Sequence, residues 1–268
     1  LHARLNVDHP KSHFIVKNEN ICEISVSSKD MHKFYDARGK TVCITGTAGE
    51  KKELDEFKEL YGCTSFEGPS HQPNRRVDHN PTMCHDHFDQ IYRKIGELKL
   101  QSKPVLVFFK DAQELEKFIN RFGNEGSNIY KGTEEGDEYT VAKDAAGGPA
   151  QVTITTAAMG RGTDFKLTPE TKDKGFSAIL TYITNERETK QQFGRVARNG
   201  DIGETFTMLS TDSVKKSDGK LPRNPKELDE VISQKRKQQE LSSASHRYLS
   251  QSYSEVMVEY SDKLYGSY

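Results

Sequence analysis

Short apolar runs alternate with amphipathic helical stretches along this chain, and that alternation restricts it to α/β architectures. The runs fall at 42–45, 104–109, 151–156, 178–183 and 204–209, with shorter ones at 21–26 and 128–130. Between them the apolar residues recur at spacings of three and four, the period of a helix. Leu54, Phe57 and Leu60 share one face of a stretch from Glu50 to Tyr61. Phe88, Ile91, Ile95 and Leu98 do so over 84–101, and Leu115, Phe118 and Ile119 after the strand at 104–109. A helix is also expected from Ser27 through Tyr35, and another over 186–198. Strands alternating with helices predict βαβ units and a mainly parallel sheet covered by helices. Right-handed crossovers then bring the carboxyl ends of the strands to one edge, where open α/β sheets bind ligands.

Residues 64–82 are rich in Pro, Asn and Ser and predict a loop between two lobes. A second connector is expected at 213–225, and from Pro225 a long polar helix begins. Tyr248, Tyr253, Val256, Tyr260 and Leu264 form a packing stripe along its continuation.

Hydrophobic residues make up 33% and charged residues 29%, and 39 Lys and Arg nearly balance 40 Asp and Glu. This balance lacks the basic footprint of a nucleic-acid binder. No apolar run approaches the ~20 residues that span a bilayer. Residues 1–13 are polar and rich in histidine, unlike a signal peptide. Cys22, Cys43, Cys63 and Cys84 are scattered, which suggests a reducing compartment and buried thiols. The run Cys84-His85-Asp86-His87, with His79 nearby, matches no common zinc ligand spacing, so no metal is assigned to it.

Two motifs carry the chemistry. In Gln191-Gln192-Phe193-Gly194-Arg195-Val196-Ala197-Arg198-Asn199-Gly200, two arginines stand three apart. On a continuous helix they share a face and aim two planar forks at one target, a geometry suited to phosphate oxygens. The same pair read alone also fits a solvated helix face. In Val152–Asp164 a β-branched strand breaks into Gly160-Arg161-Gly162-Thr163-Asp164. Glycines there permit a sharp turn and close approach to a ligand, and Arg161 and Asp164 are expected at the carboxyl end of the strand. Upstream, Val42-Cys43-Ile44-Thr45-Gly46-Thr47-Ala48 repeats the pattern of a short strand entering a small-residue turn.

Taken together these segments resemble SecA, the motor of bacterial and plastid protein export. Ile44 to Ala48 match part of the family's G-M-T-G-T-A, and residues 156–165 match T-N-M-A-G-R-G-T-D-I. Residues 191–203 match Q-L-R-G-R-x-G-R-Q-G-D-P-G. Asn74 to His79 resemble the segment that enters the second motor lobe, Lys103 to Val107 a G-Q-P-V-L-V strand, and Tyr253 to Met257 part of the scaffold helix. The resemblance runs from about residue 22 to the C-terminus. Several positions depart from it. Ala157-Ala158-Met159 stands where the family has Asn-Met-Ala and so loses an asparagine, Ala197 stands for the second glycine between the arginines, Phe193 for an arginine and Gln192 for a leucine.

The resemblance implies a RecA-like parallel sheet sandwiched by helices, followed by a long C-terminal helical segment. It implies a connector and the end of a first lobe at 1–66, a second motor lobe at 67–212, and a linker with the start of a helical scaffold at 213–268. It implies Arg195 and Arg198 as catalytic arginines, and Gly160, Arg161, Gly162, Asp164 and Gln191 as nucleotide-binding residues. ATP and Mg²⁺ are the implied cofactors. No G-x-x-x-x-G-K-[ST] occurs in the chain, so phosphate cradling falls to a first lobe expected upstream, and the chain alone is expected to be inactive. The implied partners are that lobe, a protein-conducting channel and a translocating polypeptide, with a cytoplasmic location and peripheral contact with a membrane. Two other readings remain open: a lobe of a helicase-like motor acting on nucleic acid, and a non-catalytic interaction module on the same fold.

Overall fold

The computed structural model describes residues 28–39, 41–42, 44, 51–69, 72–123, 127–130, 144–157, 164–243 and 245. They belong to two compact units, one spanning 44–245 and one combining 1–43 with 246–268. In the latter the described element is helix α1, Ser28–Asp36. Arg38 closes its end by donating to the Phe34 carbonyl at 3.0 Å, with its guanidinium 3.6 Å above the Phe34 ring. The expected strand at 21–26 and the tyrosine stripe beyond 245 lie outside the described residues.

Among the described residues, the larger unit carries helix α2, Lys51–Tyr61, and seven strands. They are β1 Arg75–Asp78, β2 Thr82–Cys84, β3 Val105–Phe109, β4 Ser127–Tyr130, β5 Val152–Thr156, β6 Phe176–Leu180 and β7 Ile202–Ser210. Every described pairing is parallel, and the sheet order is β1-β7-β6-β3-β5-β4. β2 pairs with β7 beyond β1, so two short strands line one side of one long strand. Helices α3, His87–Leu100, α4, Ala112–Phe122, and α5, Glu186–Phe193, supply the crossovers. This is the parallel sheet with flanking helices that the alternating pattern predicts.

Alternation along β3 divides the core. Val105, Val107 and Phe109 join Ile91, Ile95 and Leu98 of α3 and Leu115 and Phe118 of α4 on one face. Leu106 and Phe108 join Phe165, Phe176, Leu180, Phe193 and Val196 on the other. All five residues of β3, β5 and β6 are buried, as strands covered on both faces require. Local chemistry fixes the helix starts. Asp111 accepts the Glu114 amide at 2.9 Å, and Asn185 accepts the Glu188 amide at 2.8 Å, both N-cap bonds. Asn224 does the same for Glu227 at 2.9 Å, and a helix, α6, then runs over 225–243.

Five expectations are corrected or refined. Of the run expected as a strand at 42–45, the described residues Val42 and Ile44 lie in no strand and are 81% and 94% exposed. Apolar character alone makes no strand without a neighbour to take its amides and carbonyls. The loop expected over 64–82 contains β1 and leads into β2. The β1 sequence Arg-Arg-Val-Asp is too polar to signal a buried strand, yet it suits an exposed edge. The strand expected at 178–183 starts earlier, at Phe176. The connector expected at 213–225 is anchored along its course: Val214 is buried, and Leu221 packs with it against Leu209, Leu228, Val231 and Ile232. The helix expected to run to Arg198 ends at Phe193.

Candidate functional site: the arginine turn and Asp164

The end of α5 decides where the arginines point. Gly194 still bonds back four residues, to the Lys190 carbonyl at 2.8 Å. Arg195 and Val196 then bond only three back, to Gln192 at 3.1 Å and Phe193 at 3.2 Å. Ala197 follows at φ 54°, a left-handed conformation, and Arg198–Gly200 form a single 3-10 turn. Arg195 and Arg198 therefore do not share a helical face. They stand on either side of a reversal, Arg195 half-buried and Arg198 exposed.

The reversal also makes one departure from the family pattern a costly one. The position that reads glycine there is Ala197 here, and a left-handed φ is what glycine adopts without steric cost. The turn is held tightly: a Cβ built on Gly203 would lie 2.9 Å from the Ala197 amide nitrogen. Only a residue without a side chain lets β7 begin so close to it.

Arg198 Nη1 donates to Asp164 Oδ1 at 2.6 Å. The pair joins the two motifs that carry the chemistry. Its location differs from expectation. Arg198 lies four residues before β7 begins, so the pair sits at the amino edge of the parallel sheet, not at the carboxyl ends of the strands. Two features cause this. α5 runs back against the strand direction, and Phe165, next to Asp164, packs on the same sheet face as Phe193 and Val196. Gly160, Arg161 and Gly162 lie outside the described residues. Gln191 is half-buried on the last turn of α5.

The segment Asn74–His79 braces this turn, a role the sequence did not signal. Arg75 Nη1 donates to the Gly200 carbonyl at 3.4 Å, and the Arg76 guanidinium stands 5.9 Å from the Phe193 ring centroid. Arg76 is itself forked onto Asp78 at 2.7 and 2.9 Å. Burial works to raise the Asp78 pKa, but the bonds from Arg76 and Thr205 outweigh it and hold the carboxyl below its usual range. Phe193 and Gln192 are buried, which suits an aromatic where the family pattern has arginine but does not explain an amide where it has leucine. Gln192 Nε2 donates to the Tyr182 hydroxyl at 2.7 Å, and burial holds that phenol protonated well beyond its usual range.

Cys84, His85, Asp86 and His87 have structural surroundings. Cys84 is buried, and burial raises its thiol pKa to about 11. His87 is held neutral chiefly by burial, and its Nε2 donates to the Met208 carbonyl at 2.9 Å. Among the described residues no group of three His, Cys, Asp or Glu side chains is placed to hold a metal ion. No helix among them is long and apolar enough to cross a membrane.

No protein-family model matches the chain. It is 31% identical over 205 residues to the protein translocase subunit SecA of Fervidobacterium nodosum, covering 74% of this chain and 23% of that protein. It is 29% identical over 202 residues to SecA of Thermosipho africanus, covering 73% and 23%, and 31% identical over 186 residues to SecA of Sulfurovum sp., covering 67% and 21%. The chain is SecA-like. It spans less than a quarter of the length of these curated relatives. Among solved structures, the E. coli DEAD-box protein SrmB bound to RraA aligns with a TM-score of 0.39 at 15% identity, over 53% of this chain and 81% of that one. Domain 2 of the DEAD-box helicase Mss116p bound to an RNA duplex aligns with a TM-score of 0.37 at 13% identity, over 51% and 54%.

Proposed function

We propose that this SecA-like chain supplies the second lobe of an ATP-driven polypeptide translocase, with the lobe at 67–212. Residues 1–66 are then a connector and the end of a first lobe, and 213–268 a linker and the start of a helical scaffold. The observation that carries the reading is the Arg198–Asp164 pair, which ties the arginine motif to the Gly-Arg-Gly-Thr-Asp motif through half-exposed side chains. An accessible guanidinium next to a carboxylate can exchange that partner for phosphate oxygens, so its donor chemistry fits a nucleotide.

In this reading ATP with Mg²⁺ supplies the phosphoryl group, and the first lobe cradles it and holds the metal. Arg198 and Arg195 face the γ-phosphate and stabilise charge that grows on it in the transition state. Asp164, Gln191 and residues 160–162 line the nucleotide from this side. The partners are the first lobe, a protein-conducting channel and the polypeptide being moved, on the cytoplasmic face of a membrane with peripheral contact. The chain alone does not turn over ATP.

The experiment is steady-state ATPase activity and nucleotide binding of the full-length protein with Arg195→Lys or Arg198→Lys. Turnover is expected to fall roughly a thousandfold with each, because an ammonium cannot offer the planar fork. Affinity is expected to change much less. Near-normal turnover in both variants makes the arginines surface charges and rejects the reading.

A further inference from the structure

Helix α6 reaches across to the start of α5 with one side chain. Arg236 Nε donates to the Thr184 carbonyl at 3.2 Å, Nη2 to the Thr189 hydroxyl at 3.4 Å, and Nη1 stands 3.9 Å from Glu186. One turn further along, Gln239 Nε2 donates to the Ile183 carbonyl at 3.2 Å. Together they grip residues 183–189, the segment that enters and opens α5. From the Arg236→Thr184 contact, we propose that Arg236 is a positioning residue for the arginine turn, setting α5 from its amino end and thereby setting where Arg198 lies. This rests on the reading of Arg198 as a nucleotide-facing group.

The geometry follows from the sequence of α6. Leu228, Val231 and Ile232 lie at helical spacing and pack into a core with Leu209 of β7 and Val214. Arg236 stands one turn beyond Ile232, so it continues the same face where the face leaves the apolar core. That core anchors α6 to β7, and the Arg236 fork reaches Thr184 and Thr189 at the start of α5. α5 has eight residues, a rod of about 12 Å, so its two ends move together. The amino end is a dense polar knot: Asn185 caps Glu188, Thr189 Oγ1 donates to the Asn185 carbonyl at 3.0 Å, and Thr184 bonds Glu188. A cation at a helix amino terminus is electrostatically unfavourable. Glu186 and Glu188 in the first turn offset it. An arginine retained there is explained by the three directions it bonds at once, which a lysine cannot reproduce. The carboxyl end of α5 gives way to the reversal at Ala197, so a shift or rotation of the rod moves Arg198 relative to a bound phosphate. A misplacement of about 1 Å at a catalytic group can lower turnover a hundredfold.

The test uses the full-length protein with Arg236→Lys, Thr189→Val, the double variant and Arg198→Ala. With Arg236→Lys, kcat is expected to fall about tenfold while KM for ATP stays within about twofold. Thr189→Val, a near-isosteric change, is expected to lower kcat in the same direction. The double variant is expected to lose less than the product of the two single losses, since the Arg236–Thr189 bond is removed in both. In the present chain, amide exchange over 186–193 is expected to accelerate with Arg236→Lys, a readout independent of nucleotide. The inference is overturned if Arg198→Ala abolishes turnover while Arg236→Lys keeps kcat within about twofold. It is also overturned if the 186–193 amides exchange at the parent rate, or if the Arg236→Lys and Thr189→Val losses multiply. If Arg198→Ala itself keeps normal turnover, the nucleotide reading fails, and the exchange measurement alone decides whether Arg236 positions α5.

Discussion

Ala197 and Gly203 approach so closely that a Cβ on Gly203 would lie 2.9 Å from the Ala197 amide nitrogen and 3.2 Å from its Cβ. The two residues are strained in opposite senses: Ala197 carries a methyl where φ is 54°, and Gly203 lacks one where there is no room. Ala197→Gly is expected to relieve a left-handed alanine, a gain of about 1 kcal/mol reduced by the greater freedom of glycine in the unfolded chain. Gly203→Ala is expected to cost about 1–3 kcal/mol through overpacking. Urea unfolding of the two variants checks both signs. A destabilising Ala197→Gly contradicts the left-handed turn.

Asp164→Asn removes the carboxylate from Arg198 and keeps the side-chain shape. The pair is 41% and 53% exposed, so its loss is expected to change stability by less than about 1 kcal/mol. ATP turnover of the full-length protein is expected to fall tenfold or more if Asp164 orients Arg198 or touches the nucleotide. The unfolding midpoint and the turnover number, measured on the same preparation, separate the two effects. Unchanged turnover places the pair outside the reaction.

Glu204 is a hub. Its Oε1 accepts from Lys103 at 2.5 Å and from Ser177 at 2.9 Å, and its Oε2 meets His79 at 3.1 Å. Burial pushes its pKa up, but the bonds from Lys103, His79 and Ser177 win and leave it below the usual value of 4.5. A carboxyl with a depressed folded pKa binds its proton more readily when unfolded, so its stabilising contribution is present above pH 4.5. That contribution is lost as pH falls through the lower folded value. Glu204→Gln is therefore expected to be less stable at neutral pH and to show a shallower decline below pH 4.5, read by urea unfolding from pH 7 to 3. Parallel curves for parent and variant contradict the hub.

Cys84 and Cys63 are expected to differ in reactivity. Cys84 is buried with its thiol pKa raised to about 11 by that burial, whereas Cys63 is partly exposed. The thiolate is the reacting species, so iodoacetamide at pH 8 should label Cys63 well before Cys84 in native protein. Urea should remove the difference. Site-resolved mass spectrometry reads it directly.

What was legible in the sequence follows the strength of the local signal. β3 and β5 were placed because five consecutive buried residues leave an unbroken apolar or β-branched run. α3 and α4 were placed because burial on one side repeats every three or four residues. β1 was missed because a half-solvated edge strand of Arg, Arg, Val and Asp carries no such run. The end of α5 was missed because nothing in Gly-Arg-Val-Ala-Arg excludes helix, and the reversal is imposed from outside by β7 and Gly203. Both motifs are legible in the sequence, but the edge of the sheet at which Arg198 meets Asp164 is not. That edge depends on the direction of α5 and on Phe165, which packs on the same sheet face as Phe193 and Val196.

The divided flank of β7 has a consequence for solubility. β1 and β2 cover residues 202–205 and 208–210 separately, with His79, Asn80 and Pro81 between them. A foreign strand approaching from that side meets at most four amides in a row before a kink and an imino acid that offers none. The charged pair of Arg76 and Asp78 stands in the longer of the two pieces. Such an interrupted rim cannot template continuous cross-molecular pairing, so this side of the sheet is guarded against polymerising with other copies at high concentration.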